Sequence, residues 1–283
     1  MSYAPESTSK TVEVDGINIH YHDAGSGAPV ILLHGGGPGA NGWSNYSRNI
    51  EPLAKDFRLL VVDMPGYGKS SKVDMLSDPF GLRAKALIGF IDALGLGKPH
   101  LIGNSLGGAV ALRMALEAPE KVGKIILMGP GGAFSPHQIA PTQGLLELLF
   151  YYADGKPTRE RLASFLQHLV YDRSALTDEL IDARYQASID PEVLANPPLT
   201  VTKGPMGGTD LWRDPRLQTL PNHVLVIWGA EDKVNPADGA HLFQRLIPNC
   251  DTYIFSKCGH WAQWEYADKF NGVVKTYLKE RAA

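Results

Sequence analysis

The stretch His100-Leu-Ile-Gly-Asn-Ser105-Leu-Gly-Gly-Ala-Val-Ala-Leu-Arg-Met-Ala-Leu-Glu117 decides the architecture. It opens as a short apolar strand and continues, from Leu106, with apolar residues at helical spacing. Between the two, Gly103-Asn104-Ser105-Leu106-Gly107 fits G-x-S-x-G. Glycines around the serine permit a sharp, strained turn, so its hydroxyl stands exposed at the carboxyl end of a sheet. The helix that follows aims its first N–H groups and its positive dipole end at the same place. A glycine-rich turn with an idle serine would match over five residues; the flanking strand and helix favour a nucleophile.

Outward from this turn the same alternation recurs. PVILLH (29–34), RLLVVD (58–63), KIILM (124–128) and VLVIW (224–228) are apolar on both faces, as central strands of a parallel sheet are. Residues 79–94 carry helical spacing, and 11–22 alternate as an antiparallel hairpin. Strands alternating with helices predict right-handed crossovers and a mostly parallel, doubly wound α/β sheet. The alternation stops near Pro130. Helical patterns at 142–153, 158–171 and 177–189 each open on a threonine, a good N-cap, and Glu160, Asp178 and Glu179 put acids in first turns. Asn196-Pro-Pro and Lys203-Gly-Pro-Met-Gly-Gly then interrupt the chain before strand character resumes at Val224. The expected organisation is a core over 1–136, a helical lid over 137–206 and the rest of the core over 207–283.

Composition narrows the function. Among 283 residues, 44% are hydrophobic and 20% charged, as in an ordinary globular protein. The net charge of −3 leaves no basic excess for nucleic acid. No apolar run is long enough to span a bilayer, so no membrane partner is expected. Cys250 and Cys258 make no disulfide framework and fit a reducing compartment, so the cytoplasm is the expected location.

A serine nucleophile needs a base and an acid. Of nine histidines, His260 follows a strand-like run in the loop Cys258-Gly-His-Trp261. Glu231 and Asp232 directly follow the buried run at 224–228, which places a carboxylate at a strand's carboxyl end. The chain order Ser105, Asp232, His260 differs from both common protease orders. His20 and His22 share one face of an edge strand; they suit a solvated face better than a metal site, lacking further ligands. His34-Gly-Gly-Gly-Pro-Gly39 ends the first central run. Gly35, Gly37 and Ala40 with Asp63 also fit a dinucleotide fingerprint, but Pro38 removes a donor and no clear helix follows. The loop better supplies an oxyanion N–H from Gly36, with Leu106 N–H as the second donor.

With HGGGPGANGWSNYSRN (34–49), GNSLGGA (103–109), LMGPGG (127–132), WGAEDKVNP (228–236) and SKCGHWAQWE (256–265), the chain resembles the α/β-hydrolase superfamily over nearly its whole length. More narrowly it is similar to the meta-cleavage product hydrolases, which cut a carbon–carbon bond in dienoates made by aromatic ring fission. The HGGGPG loop, Asn104 before the nucleophile and CGHWAQ after the strand carry that narrower likeness. The resemblance implies an α/β-hydrolase fold with the lid inserted before the acid, catalytic Ser105, Asp232 and His260, and an oxyanion hole of Gly36 and Leu106. It also implies substrate contacts from Gly36, Gly37, Asn45, Asn104, Ser174, Arg184 and Trp261, and a homo-oligomer, a dimer or larger. Arg184 can offer a planar fork to the substrate carboxylate, and Asn104 can donate beside it. Phe150, Tyr151, Tyr152, Phe165, Leu169 and Trp212 are candidates for an apolar pocket at the substrate's 6-position, although lid packing alone would use such residues.

The expected activity is hydrolysis of a 2-hydroxy-6-oxohexa-2,4-dienoate, with a bulky aryl or alkyl 6-substituent, to a 2-hydroxypenta-2,4-dienoate and a carboxylic acid. No metal or organic cofactor is needed, for no H-E-x-x-H and no Cys/His ligand spacing is present. An ordinary carboxylesterase or lactonase, or a ligand-binding receptor derived from a hydrolase, are the alternatives on the same scaffold. Serine where dehalogenases and epoxide hydrolases are expected to carry aspartate argues against those two.

Overall fold

The computed structural model describes residues 3–133, 140–201 and 208–280. Eight strands make one sheet: β1 (Ser9–Val14), β2 (Ile17–Gly25), β3 (Pro29–Leu33), β4 (Arg58–Val62), β5 (His100–Asn104), β6 (Ile125–Met128), β7 (Val224–Gly229) and β8 (Cys250–Phe255). Their order is β1-β2-β4-β3-β5-β6-β7-β8. Strands β1 and β2 form the expected antiparallel hairpin, Val14 pairing with Ile17 across an Asp15-Gly16 turn. Strand β2 runs antiparallel to β4, and every pairing from β4 to β8 is parallel.

Alternate residues of the parallel strands feed two cores. Ile31, Leu33, Leu60, Leu101, Leu127 and Val226 face the helices Gly81–Ala93, Leu106–Glu117 and Asp238–Leu246. Val30, Leu32, Leu59, Ile102, Ile126 and Ile227 face the helices Gly42–Leu53 and Ala267–Lys279. Because β4 lies on one side of β3 and β5 on the other, the chain reverses its winding at β3. In open α/β sheets ligands bind beyond the carboxyl strand ends at such a reversal. The loops after β3 and β5 carry His34 and Ser105.

Two expectations need correction. A helix does follow the glycine loop: Asn41 caps Gly42–Leu53, its side chain accepting from Ser44 N at 2.8 Å. Also, β2 is not an edge strand and His20 and His22 are not solvated, being 3% and 4% exposed. His20 bridges Asp63 (2.8 Å) and Ser9 (2.8 Å), while His22 bonds Thr8 at 3.0 Å. Asp63 is committed to His20, Gly42 N and Lys69 N, so no ribose-binding acid remains. Among the described residues, no group of three or more His, Cys, Asp and Glu side chains could hold a metal ion.

Between β6 and β7 only helices occur among the described residues. Gln143–Phe150, Arg159–Leu166 and Asp178–Ser188 are capped by Thr142, Thr158 and Thr177, each accepting from the N–H three residues on. The second helix stops at Leu166, short of the expected 171. The glycine-rich break at 203–208 lies almost wholly outside the described residues, as do the expected lid boundaries at 137 and 206.

Candidate active site

Ser105 follows β5 and caps the helix Leu106–Glu117 with φ 52° and ψ −114°, a conformation rare for a residue with a Cβ. The turn closes because its glycines allow it. A Cβ at Gly103 would run into the Gly107 backbone, and one at Gly107 into the Leu33 and His34 carbonyls. Leu106, as first helical residue, has no i−4 partner for its N–H.

The expected base and acid lie in the loops after β8 and β7. His260 Nδ1 lies 2.7 Å from Asp232 Oδ2, and both side chains are buried. The same oxygen accepts Trp228 Nε1–H at 3.0 Å; Oδ1 accepts the N–H groups of Val234 (2.8 Å) and Asn235 (2.9 Å). Four donors on one carboxylate hold it in place. Glu231, by contrast, is exposed.

The loop after β3 is pinned from behind. His34 Nε2 accepts Met64 N–H at 3.0 Å, which leaves the proton on Nδ1 to donate to Gly35 O at 2.8 Å. Burial lowers the His34 pKa to about 4, so the ring stays neutral. Tyr67 Oη donates to Gly36 O at 3.0 Å. Fixing the Gly35 carbonyl also fixes the Gly36 N–H on the opposite side of the same trans peptide.

Two compartments meet at Ser105. One is narrow and polar, lined by Gly36, Gly37, Asn45, Asn104, Arg184, His260 and Trp261 beside the serine. Arg184 is fully buried: Nε donates to Pro38 O at 2.9 Å, and the guanidinium lies 5.4 Å from the Trp261 ring. Its Nη1 has no partner, and neither does Asn45 Nδ2, whose Oδ1 is held by Gln263 at 2.7 Å. Burial pushes the Arg184 pKa down to about 10, and its ionisable neighbours are the phenols of Tyr67, Tyr151 and Tyr152. Arg184, whose ionisable neighbours are phenols, and Asn45 thus bring unpartnered buried donors to one compartment, a donor set that suits an anion. The second compartment is apolar, about 190 Å³, and lined by Phe80, Leu106, Leu145, Leu148, Leu149 and Leu199.

Not every expected residue joins them. Ser174 is exposed in a short turn, its Oγ bonded to Asp172 Oδ1 at 2.7 Å, and it lines neither compartment. Asn104 is present but turned: Nδ2 faces Met128 O and His260 O, both at 3.3 Å, and Oδ1 is the unpartnered atom. It therefore offers an acceptor, not the donor expected. Of the apolar candidates, Phe165 and Leu169 line the polar compartment, Phe150 is 53% exposed, and Tyr151 and Tyr152 bond Ser188.

A 2-hydroxy-6-oxo-6-phenylhexa-2,4-dienoate hydrolase of Burkholderia cepacia is 43% identical over 284 residues, covering 96% of each chain. A 2-hydroxy-6-oxononadienedioate/2-hydroxy-6-oxononatrienedioate hydrolase of Comamonas testosteroni is 42% identical, over 98% of this chain and 99% of its own. The structure of a meta-cleavage product hydrolase from Pseudomonas fluorescens superimposes with a TM-score of 0.84 at 33% identity, covering 95% of this chain and 97% of that one. The α/β hydrolase fold family matches residues 28–267. The chain belongs to that family, among its meta-cleavage product hydrolases.

Several supports of this hydrolase's site escape sequence reasoning. Trp228 reads as a core strand residue, yet its indole N–H holds Asp232. Gln263 and Tyr67 sit in stretches rich in other signals, and only folding shows them bonded to Asn45 and Gly36. His34 was legible only as the start of the glycine loop.

Proposed function

We propose that this hydrolase cleaves the C5–C6 bond of 2-hydroxy-6-oxohexa-2,4-dienoates, products of meta ring fission in aromatic degradation, to 2-hydroxypenta-2,4-dienoate and a carboxylic acid. The observation that carries this reading is the meeting, at Ser105, of the unpartnered buried donors of Arg184 and Asn45 on one side and an apolar cavity on the other. A dienoate of this class is charged at one end, apolar at the other, and reactive between. Its carboxylate satisfies Arg184 Nη1 and Asn45 Nδ2, and its 2-hydroxyl donates to Asn104 Oδ1. An apolar cavity of roughly 150 Å³ admits benzene, so 190 Å³ accepts an aryl or bulky alkyl 6-substituent. The apolar side chains of Phe80, Leu106, Leu145, Leu148, Leu149 and Leu199 favour an apolar 6-substituent over one ending in a second carboxylate.

In this mechanism the bound dienoate first becomes its keto tautomer, so that carbon 5 can leave as a stabilised carbanion. Ser105 Oγ attacks carbon 6 while His260 Nε2 takes its proton; the N–H groups of Gly36 and Leu106 hold the oxyanion. Asp232 keeps the His260 proton on Nδ1 and stabilises the imidazolium. The C5–C6 bond breaks and its electron pair delocalises from carbon 5 onto the 2-oxygen; that oxygen takes up the proton His260 removed from Ser105, giving 2-hydroxypenta-2,4-dienoate, and water then hydrolyses the acyl-serine with His260 as base. The helices Gln143–Phe150, Arg159–Leu166 and Asp178–Ser188 act as the lid over the site. We place the enzyme in the cytoplasm, with Cys250 and Cys258 both free, and as a homo-oligomer, for which the open edge of β8 with exposed Tyr253 and Ile254 is suited.

Arg184 separates this chemistry from ester hydrolysis. A small aryl ester brings no carboxylate, so Arg184→Ala should process it nearly as wild type does. The dienoate should lose a charge-assisted contact of roughly 1.5–3 kcal/mol, about ten- to more than a hundredfold in kcat/KM. Arg184→Lys should recover only part, restoring charge without the fork. Parallel steady-state assays check this; equal losses on both substrates would make Arg184 a tether for the Pro38 loop and nothing more.

A further inference from the structure

The loop bearing His260 has no strand or helix of its own to hold it, yet three consecutive residues are pinned. Trp261 N–H donates to Leu169 O at 3.0 Å, and His260 O accepts from Asn104 Nδ2 at 3.3 Å. Gly259 N–H donates to Glu265 Oε2 at 2.6 Å. The other oxygen of that carboxylate reaches away from the core: Oε1 accepts the N–H groups of Tyr171 (2.8 Å) and Asp172 (3.1 Å), in the helical segment between β6 and β7. Gly259 packs directly on Leu169 and Val170, where a Cβ would meet backbone at 2.8 Å. One half-buried side chain thus joins the residue before His260 to the helical segment above it.

Taking His260 as the base, as in the proposed function, we infer that Glu265 is a positioning residue that couples its placement to closure of the segment at 169–172. The carboxylate suits the task because it has acceptors on both oxygens and no donor; three N–H groups face it from two directions. Glutamine would keep one acceptor and turn an NH2 toward an N–H on the other side. Either the histidine loop or the helical segment then loses its tie, and the remaining contacts of that loop loosen with it. Aspartate keeps both acceptors and the charge but is one methylene shorter.

The test compares wild type, Glu265→Gln and Glu265→Asp on a 6-phenyl dienoate, with kcat expressed per titrated active site, and with hydrogen exchange of the peptides covering 169–172 and 257–261. We expect Glu265→Gln to lower kcat about ten- to a hundredfold, the scale of a misplacement near 1 Å, with KM changed by less than about threefold. Exchange should rise in both segments together, and Glu265→Asp should regain part of kcat. Unchanged kcat per active site, even with poor yield of folded enzyme, would overturn the inference. So would a loss confined to KM, or faster exchange in one segment alone. Wild type that turns over no dienoate would instead remove the proposed function on which the inference rests.

Discussion

Ser105→Ala should lower dienoate turnover by about three or more powers of ten, the scale of triad deletions, and leave the fold and dienoate binding in place. The substitution removes one oxygen from a side chain that is 9% exposed, and it adds no atom to the crowded turn. The strained φ of 52° is set by the backbone from Gly103 to Gly107, and alanine bears it as serine does. Arg184, Asn45, Gly36 and Leu106 remain to hold the substrate, so single-turnover absorbance should show a bound dienoate that decays slowly. Residual rate above water would come from the oxyanion donors. Wild-type turnover in this variant would remove Ser105 as the nucleophile.

Asp232→Asn should be of comparable severity, about four powers of ten by analogy with the same change in a serine-protease triad. All four donors on Asp232 demand acceptors: His260 Nδ1 and Trp228 Nε1 on one oxygen, two backbone N–H groups on the other. An asparagine with its oxygen toward Val234 and Asn235 presents NH2 to His260. The imidazole must then carry its proton on Nε2, where it cannot accept one from Ser105. Binding, which rests on the polar compartment, should change little. Glu231→Gln, at an exposed side chain, should cost almost nothing. Steady-state kinetics of the two variants side by side check the assignment, and a larger loss from Glu231→Gln would transfer the role to that carboxylate.

What the chain reveals before folding depends on how local the cause is. Buried strands such as IILM at 125–128 read directly because both faces are apolar, and the threonine caps read because the acceptor and its N–H lie three residues apart. The helix Gly42–Leu53 does not, since GWSNYSRN is made of weak helix formers, and its stability comes from Tyr46, Ile50 and Leu53 packing under the sheet. His20 and His22 look solvated in an alternating strand; His20 is buried because Asp63, 43 residues on, satisfies it. Sequence placed Asn104 beside Ser105 but not the direction of its amide, which two backbone carbonyls decide. Glu265 lay in a quoted motif without a role, because its partners at 171 and 172 are distant in the chain.

The most direct test of the account is the kcat/KM of the wild-type enzyme on three substrates under one set of conditions. They are 2-hydroxy-6-oxo-6-phenylhexa-2,4-dienoate, a 6-substituted analogue ending in a carboxylate, and a small aryl ester. The geometry predicts rapid loss of the dienoate absorbance with release of benzoate, weaker turnover of the carboxylate-ended analogue because its charge enters the apolar cavity, and slow ester cleavage. Rapid ester hydrolysis with no carbon–carbon cleavage of either dienoate would contradict it.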